Sequence, residues 1–383
     1  MLTFNSGSSS LKFGLFDVRG EVVTPHLTGE IESRGAALVQ LHATDANGRL
    51  CADHALDRVA RGQWIGEIVA LLDRSGLSPP DAIGHRLVHG GPDLLQPVRI
   101  DAQVQKQLEE AQSFAPLHLP EALAILGAAQ AHFPDCPQIA CFDTGFHASM
   151  PALASTLPLP APLRAHGLRR YGFHGLSCES ILDQLGAAVP ERLVIAHLGN
   201  GASVTAVHAG RSVDTSMGLT PSGGVLMARR SGDLDPGVLI HLLRHHGFNA
   251  DTLERLVNRE SGLFSLSGID GDLRVLAAAA ADDPAAQFAI DAFCRSVGKA
   301  IMAMAQALGG VDCIVFTGGI GEHDIAVRAT VAQSLRWIGV RLDDVRNNCG
   351  AAVISAETSA VTLQVLPSRE DQRIAMLSAA ALR

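Results

Sequence analysis

Leu193-Val194-Ile195-Ala196 runs directly into His197-Leu198-Gly199-Asn200-Gly201-Ala202-Ser203, then into the alternating stretch Val204-Thr205-Ala206-Val207, a glycine turn at Gly210, and Arg211-Ser212-Val213-Asp214. An apolar run that stops at a Gly/Asn turn reads as a buried strand, and the alternation after it reads as a strand with one covered face. The opening of the chain repeats this layout. Asn5-Ser6-Gly7-Ser8-Ser9 stands where His197 to Gly201 does, followed by Leu11 to Asp17, Leu27 to Ile31 and Ala37 to Leu41 between turns. Two copies of the same strand-and-turn order predict a duplicated α/β chain.

Further strands are expected at Ala82 to Val88, Gln138 to Phe142, Asp312 to Phe316 and Val361 to Leu366. Helical spacing covers Asp101 to Ala111, Pro120 to Ala131, with Pro120 as first helical residue, and Glu370 to Leu382. Asp283-Pro284 caps a long helix to about Leu308. Pro151 to Arg164, with four prolines, reads as an extended connector. The predicted domains are 1–146, with the terminal helix 371–383 packing back on it, and 147–370. At 383 residues, two domains also fit the usual ~150 residues each.

A formal charge of −9 argues against a general nucleic-acid binder, which needs a concentrated basic surface. Of 30 basic residues only Lys12, Lys106 and Lys299 are lysines, so arginine abundance is uninformative and each arginine is argued by position. The seven cysteines contain no CxxC pair and read as small buried thiols of a reducing compartment. With no signal-peptide pattern and no long apolar run, the expected location is cytoplasmic, without a membrane partner.

In open α/β sheets ligands sit beyond the carboxyl ends of strands. Five such places carry polar or glycine-rich residues: 5–10, 143–145, 197–203, 317–321, and His85-Arg86 beside Gly90-Gly91. Turns of Gly, Ser and Asn leave backbone N–H groups free for phosphate oxygens. Any one of them is more often just a tight turn, so only their convergence at strand ends in two repeats is informative. GxxxxGK[ST], GxGxxG and GxSxG are all absent, which removes the P-loop, the dinucleotide fold and the serine-hydrolase elbow.

Asn5 to Phe13, His85-Arg86-Leu87-Val88-His89-Gly90-Gly91, Phe142-Asp143-Thr144-Gly145-Phe146-His147, Arg170-Tyr171-Gly172-Phe173-His174-Gly175, His197 to Gly201, Asp214 to Pro221 and Arg230-Ser231-Gly232-Asp233-Leu234-Asp235-Pro236 together resemble the acetate kinase family, in family order over almost the whole chain. The resemblance implies two ribonuclease-H-like domains of the actin-like ATPase kind with a nucleotide cleft between them, a homodimer, and reversible phosphoryl transfer between ATP and acetate. It implies Mg²⁺, with Mn²⁺ as a substitute, and ATP or ADP as substrate. Arg86, Arg230, His174 and Asp143 match the catalytic residues, Asp143 orienting the arginine or the metal. His197, Ser8, Ser10 and Lys12 match residues at the phosphates. Asn5 and Glu370 match the metal-associated pair. Asn200, Gly201, Asp272, Arg274, Gly319, Ile320, Gly321 and His323, with Lys12 and His197, fall where the family binds nucleotide. Val88, Leu117, Phe173 and Pro221, with Arg86, match the acyl pocket. His118, His147 and His208 are read as core or cap histidines.

The chain also departs from the family pattern. Only four residues precede Asn5, so a short first strand or a misassigned start is expected. His323 replaces an asparagine, Ser368-Arg369-Glu370-Asp371 replaces Thr-Asn-Glu-Glu, and Pro221-Ser222-Gly223-Gly224 suggests a looser loop or an altered dimer contact. A propionate or butyrate kinase of the same family is the near alternative. A ladder of C2 to C5 acids separates it from an acetate kinase; a nucleotide-switched binding protein on the same fold is the distant alternative, favoured by ATP binding without acyl phosphate.

Overall fold

The opening repeat folds as an antiparallel meander in a computed structural model of the chain, which describes residues 1–7, 10–34, 38–56 and 61–383. Its strands are β1 Leu2–Ser6, β2 Ser10–Arg19, β3 Val22–Arg34, β4 Leu38–Asp45 and β5 Leu50–Leu56. After them come β6 Ile83–Leu87, β7 Val98–Arg99 and β8 Gln138–Phe142, and the sheet order is β5-β4-β3-β2-β1-β6-β8-β7. β1, β6 and β8 are parallel neighbours. These strands belong to a first unit, Met1–Phe146 with Arg369–Arg383; the second unit is His147–Ser368. The second holds β9 Arg192–Leu198, β10 Ala202–His208, β11 Arg211–Thr215, β12 Cys313–Thr317 and β13 Thr362–Val365, in the order β11-β10-β9-β12-β13.

The duplication is therefore topological. In each unit a hairpin meander ends in a strand (β1 or β9) that gains two parallel strands on its other side. β8 and β12 are buried at all five positions, as strands covered on both faces must be. On β2, Leu11, Phe13 and Leu15 face inward while Lys12 is exposed, the alternation of a half-covered strand. Trp64, Ile65, Ile68 and Leu71 of the helix Trp64–Arg74 pack with Phe4, Phe13 and Leu41. In the second unit, Phe293, Val297 and Ile301 form the buried stripe of the helix Pro284–Ala307, which Asp283 caps by accepting from the Ala285 N–H at 2.8 Å.

Two close approaches fix the elements that bear on the site. A side chain at Gly84 would lie 2.3 Å from Ser378 Oγ, so the terminal helix Glu370–Ala381 sits directly on β6, one strand residue pair from Arg86. At Gly318, φ is +77° and a Cβ would lie 2.7 Å from the Leu198 carbonyl oxygen, so the turn after β12 lies against the end of β9.

Several expectations need correction. β3 begins at Val22 because Pro25 falls at a register shift against Leu15/Phe16, where a strand tolerates a proline. Residues 151–164 are not extended: Pro151 and Pro160 precede short helices at Ala152–Ser155 and Ala161–Arg164. Pro120 is the second residue of the helix Leu119–His132. Arg369 and Glu370 cluster with the first unit rather than the second, where Asn5 holds Glu370. Cys51, on the outermost strand, and Cys349, after a short helix, are exposed thiols rather than core residues, and Cys136 is half-buried. The first strand is short, with five residues. The strand expected to start at Ala37 begins at Leu38, Ala37 itself lying outside the described residues.

Candidate active site

In the first unit the parallel strands deliver three of the expected residues to one place. Arg86 on β6 donates from Nε to both oxygens of Asp143, at 3.0 and 3.1 Å, and from Nη2 to Oδ2 at 2.6 Å. Its Nη1 donates to Asn5 Oδ1 at 3.2 Å and to the Ser6 carbonyl at 3.0 Å. Asn5 Nδ2 donates in turn to Glu370 Oε2 at 2.9 Å. Asp143, Arg86, Asn5 and Glu370 thus form one continuous hydrogen-bonded chain, and both ends of the Asn5 amide are engaged within it.

The chain is rich in negative charge. Burial pushes the Asp143 carboxyl above the usual carboxylate range, against the pull of Arg86. Burial alone would lower the Arg86 guanidinium, but Asp143 and Glu370 reverse this and raise it, so it stays charged. Asp371, beside Glu370, is pushed up to about 6 by burial and then by the Glu370 carboxylate. Its Oδ1 is buried with no hydrogen-bond partner. Lys12 on β2 is exposed, Ser10 is half-buried, Val88 is buried and Leu117 is half-buried. Ser8 lies outside the described residues.

In the second unit the site is built from two stacked histidines and an arginine around a glycine. His174 ends the segment before the helix Gly175–Leu185 with φ at +59°, a strained left-handed position for a non-glycine residue. Its Nδ1 is 2.9 Å from Ser203 Oγ, and its ring stacks on His197 with centroids 4.2 Å apart. His197 Nδ1 lies 2.8 Å from Ser177 Oγ, which accepts from Ser368 Oγ at 3.0 Å. A Cβ at Gly201 would lie 3.2 Å from Arg230 Nη1 and 3.3 Å from His174 Nε2. Arg230 and His174 therefore converge over Gly201, and Arg230 Nη1 also donates to the Pro221 carbonyl at 3.2 Å.

His147 supports this arrangement from inside. Its Nε2 donates to the Phe173 carbonyl at 3.0 Å, so its Nδ1 accepts from Ser212 Oγ at 2.9 Å, and burial pushes the ring down to about 4. A neutral imidazole thus fixes the residue before His174. Phe173 and Pro221 are both buried. His208 is instead exposed beside Glu191, and His118 precedes the helix Leu119–His132.

The Gly319, Ile320 and Gly321 turn starts the helix Gly318–His323. Glu322 Oε1 accepts from the Gly318 N–H at 3.0 Å and the Ser368 N–H at 2.9 Å, tying that turn to the serine that supports His197. Arg328, fully buried, donates to the Gly321 and Glu322 carbonyls at 3.0 and 2.8 Å. Asn200 and His323 are exposed. Asp272 and Arg274 pair with each other, Nη2 to Oδ2 at 2.6 Å, and the bond to Arg274 holds the Asp272 carboxyl low. The 221–224 loop is not loose: Gly224 N–H donates to Asp233 Oδ1 at 2.7 Å, and Ser222 bonds Asn258.

Sequence reading missed Asp371, Ser177, Ser203, Glu322 and Ser368. Ser368 and Asp371 flank the Glu370 position and Ser203 closes the 197–203 turn, stretches already singled out, so adjacency was the available signal; Ser177 and Glu322 have none short of the fold.

Over residues 1–376 the chain matches the model of the acetokinase family. A curated acetate kinase of Clavibacter michiganensis is 42% identical over 394 aligned residues, covering 100% of this chain and 98% of its own length. That of Nitrobacter hamburgensis is 39% identical, covering 98% of this chain and 94% of its own. Among solved structures, a propionate kinase from Francisella tularensis superposes with a TM-score of 0.91 at 31% identity, covering 99% of this chain and 98% of its own. The Porphyromonas gingivalis acetate kinase gives 0.86 at 34%, covering 100% and 99%.

Proposed function

The chain belongs to the acetokinase family, and from that premise we propose that it is an acetate kinase, transferring the γ-phosphoryl group of ATP reversibly to acetate to give acetyl phosphate and ADP. The observation that carries the proposal is that each unit presents a guanidinium at a strand end or at the turn that follows one. Arg86 is locked to Asp143 and Asn5, and Arg230 converges with His174 over Gly201.

Acetate is already an anion at neutral pH, so the reaction needs no general base. Its difficulty is electrostatic, because an anion must approach a phosphoryl group on whose equatorial oxygens charge gathers. Arg86 holds the acetate carboxylate in the proposed mechanism. Asp143, fully engaged by Arg86, fixes that guanidinium and removes no proton. Arg230 and His174 donate to the equatorial oxygens, where such donors act most strongly. Stacked His197, backed by Ser177 and Ser368, orders the ATP phosphates, and the Asn200-Gly201 turn and the helix start at Gly319–Gly321 offer them backbone N–H groups.

The residues of the first unit suit a hard divalent cation. Asp371 has an orphaned buried oxygen and a carboxyl raised by burial and by the Glu370 carboxylate, two acids side by side that a cation would neutralise. Mg²⁺ takes one or two carboxylates and fills its remaining positions with water and phosphate, so Glu370 and Asp371 would hold it, with Asn5 orienting Glu370. When bound, Mg²⁺ supplies positive charge to the β- and γ-phosphates, and Mn²⁺ would replace it.

Asn200, Asp272, Arg274, Ile320 and His323 are assigned to the nucleotide, with Ser10 and Lys12 at the phosphates. Val88, Leu117, Phe173 and Pro221 are assigned to the acyl group. One methylene against apolar side chains is worth only ~1–3 kcal/mol, so propionate is a secondary substrate. Seven free thiols and the need for ATP favour the cytoplasm. The proposed assembly is a homodimer; Leu153, Val345 and Trp337, at 97%, 76% and 73% exposure the barest large apolar side chains described, all lie in the second unit.

Trapping acyl phosphate as the hydroxamate from C2 to C5 acids with Mg-ATP tests the reading. Acetate is expected to be turned over fastest, with propionate next. ATP binding without acyl phosphate from any acid would refute it.

A further inference from the structure

The helix Pro236–His245 ends in three exposed histidines that the phosphoryl-transfer reading does not use. His241 and His245 lie one turn apart, which puts them on the same face of a helix, and His246 follows at the helix end. The ring centroids of His245 and His246 are 4.8 and 5.2 Å from that of His241. The Nε2 atoms of His241 and His246 are 3.3 Å apart.

At that separation one ring can donate a hydrogen bond to the other when no ion is present, and the same separation is the one a shared metal requires. A tetrahedral ion with metal–nitrogen bonds of ~2.0–2.1 Å holds two ligand nitrogens ~3.3 Å apart. The helix sets this spacing: the His246 N–H donates to the Leu242 carbonyl at 3.1 Å, and the Phe248 N–H to the same carbonyl at 3.4 Å, which folds the chain back over the last turn and brings the His246 ring toward His241.

We infer that His241 and His246 form a two-nitrogen clip for a divalent transition metal of the zinc class, separate from the Mg²⁺-dependent chemistry. Imidazole nitrogens suit Zn²⁺, Ni²⁺ and Cu²⁺, whereas Mg²⁺ takes oxygen ligands. With two protein nitrogens the site is open, its remaining positions filled by water or an external ligand. An ion there would staple the last turn of the helix.

The test is Zn²⁺ titration of the whole untagged protein, in competition with a chromogenic chelator, in a Cys51→Ser/Cys349→Ser background so that exposed thiols do not compete. One zinc ion per chain is expected. His241→Ala and His246→Ala should each weaken it by at least ~10-fold, the least that losing even a supporting partner of a metal ligand costs. Acyl-phosphate formation with Mg-ATP should be unchanged in both variants, which shows that they fold. No zinc bound by the parent at stoichiometric concentration, or binding that survives either substitution, overturns the inference.

Discussion

The two units share a strand order and differ in how they hold their functional groups. In the first, the strand ends carry full charges locked by other charges: Asp143 to Arg86, with Glu370 and Asp371 alongside. In the second, the corresponding groups are imidazoles bonded to hydroxyls, His174 to Ser203 and His197 to Ser177, and a guanidinium, Arg230, bonded to a backbone carbonyl. One framework thus carries two arrangements: a guanidinium clamped by a buried carboxylate, and a guanidinium beside a hydroxyl-backed imidazole over a glycine.

The sharpest way to break this comparison is to remove each arginine. Arg86→Ala and Arg230→Ala should each lower kcat by at least ~100-fold. Only Arg86→Ala should also cut the melting temperature strongly, since it strands buried Asp143, a loss of ~3–5 kcal/mol for a broken buried pair. Thermal melting separates the two, and equal losses of stability would show that the units do not differ in this way.

Gly201→Ala comes next. It pushes a methyl group against Arg230 and His174 and should reduce kcat by ~10-fold or more, a sub-ångström displacement of catalytic groups being costly. Its melting temperature should stay near that of the parent.

Acid sensitivity sharpens the contrast further. Burial pushes His85 and His89 in the first unit and His147 in the second down to about 4. The unfolded chain, with histidines near pH 6.5, binds more protons than the folded one between those values, so stability falls as pH drops from about 6.5 to about 4. Asp371 acts the other way. Its carboxyl is raised to about 6, so the folded state holds the extra proton, and this contribution is lost as pH rises from about 4 to about 6. Asp371→Asn should therefore raise the melting temperature of the metal-free protein above pH 6, and increase the Mg²⁺ concentration needed for half-maximal rate.

The smallest effect is expected at Arg274. It is exposed and paired with Asp272, so Arg274→Ala should change stability by less than ~1 kcal/mol while raising the KM for ATP, read from initial rates.

Much of this was legible in the sequence because strand ends announce themselves. An apolar run stopping at Asp143-Thr144-Gly145 or Thr317-Gly318-Gly319 marks both the strand and the turn that presents ligands, and β8 was bounded to the residue. What stayed hidden depends on long-range pairing. Asp371 becomes unusual only through burial beside Glu370, and Glu322 only because its carboxylate meets the N–H of Ser368, 46 residues on. The proline-rich stretch at 151–164 misled because proline is as compatible with a helix start as with an extended connector.

The most direct test is a double-mutant cycle on kcat/KM for acetate with Arg86→Ala, Arg230→Ala and both together. If the two guanidinium groups serve one transition state as a unit, the double variant loses far less than the product of the single losses. Losses that multiply, or a single variant with near-parental turnover, would contradict the account.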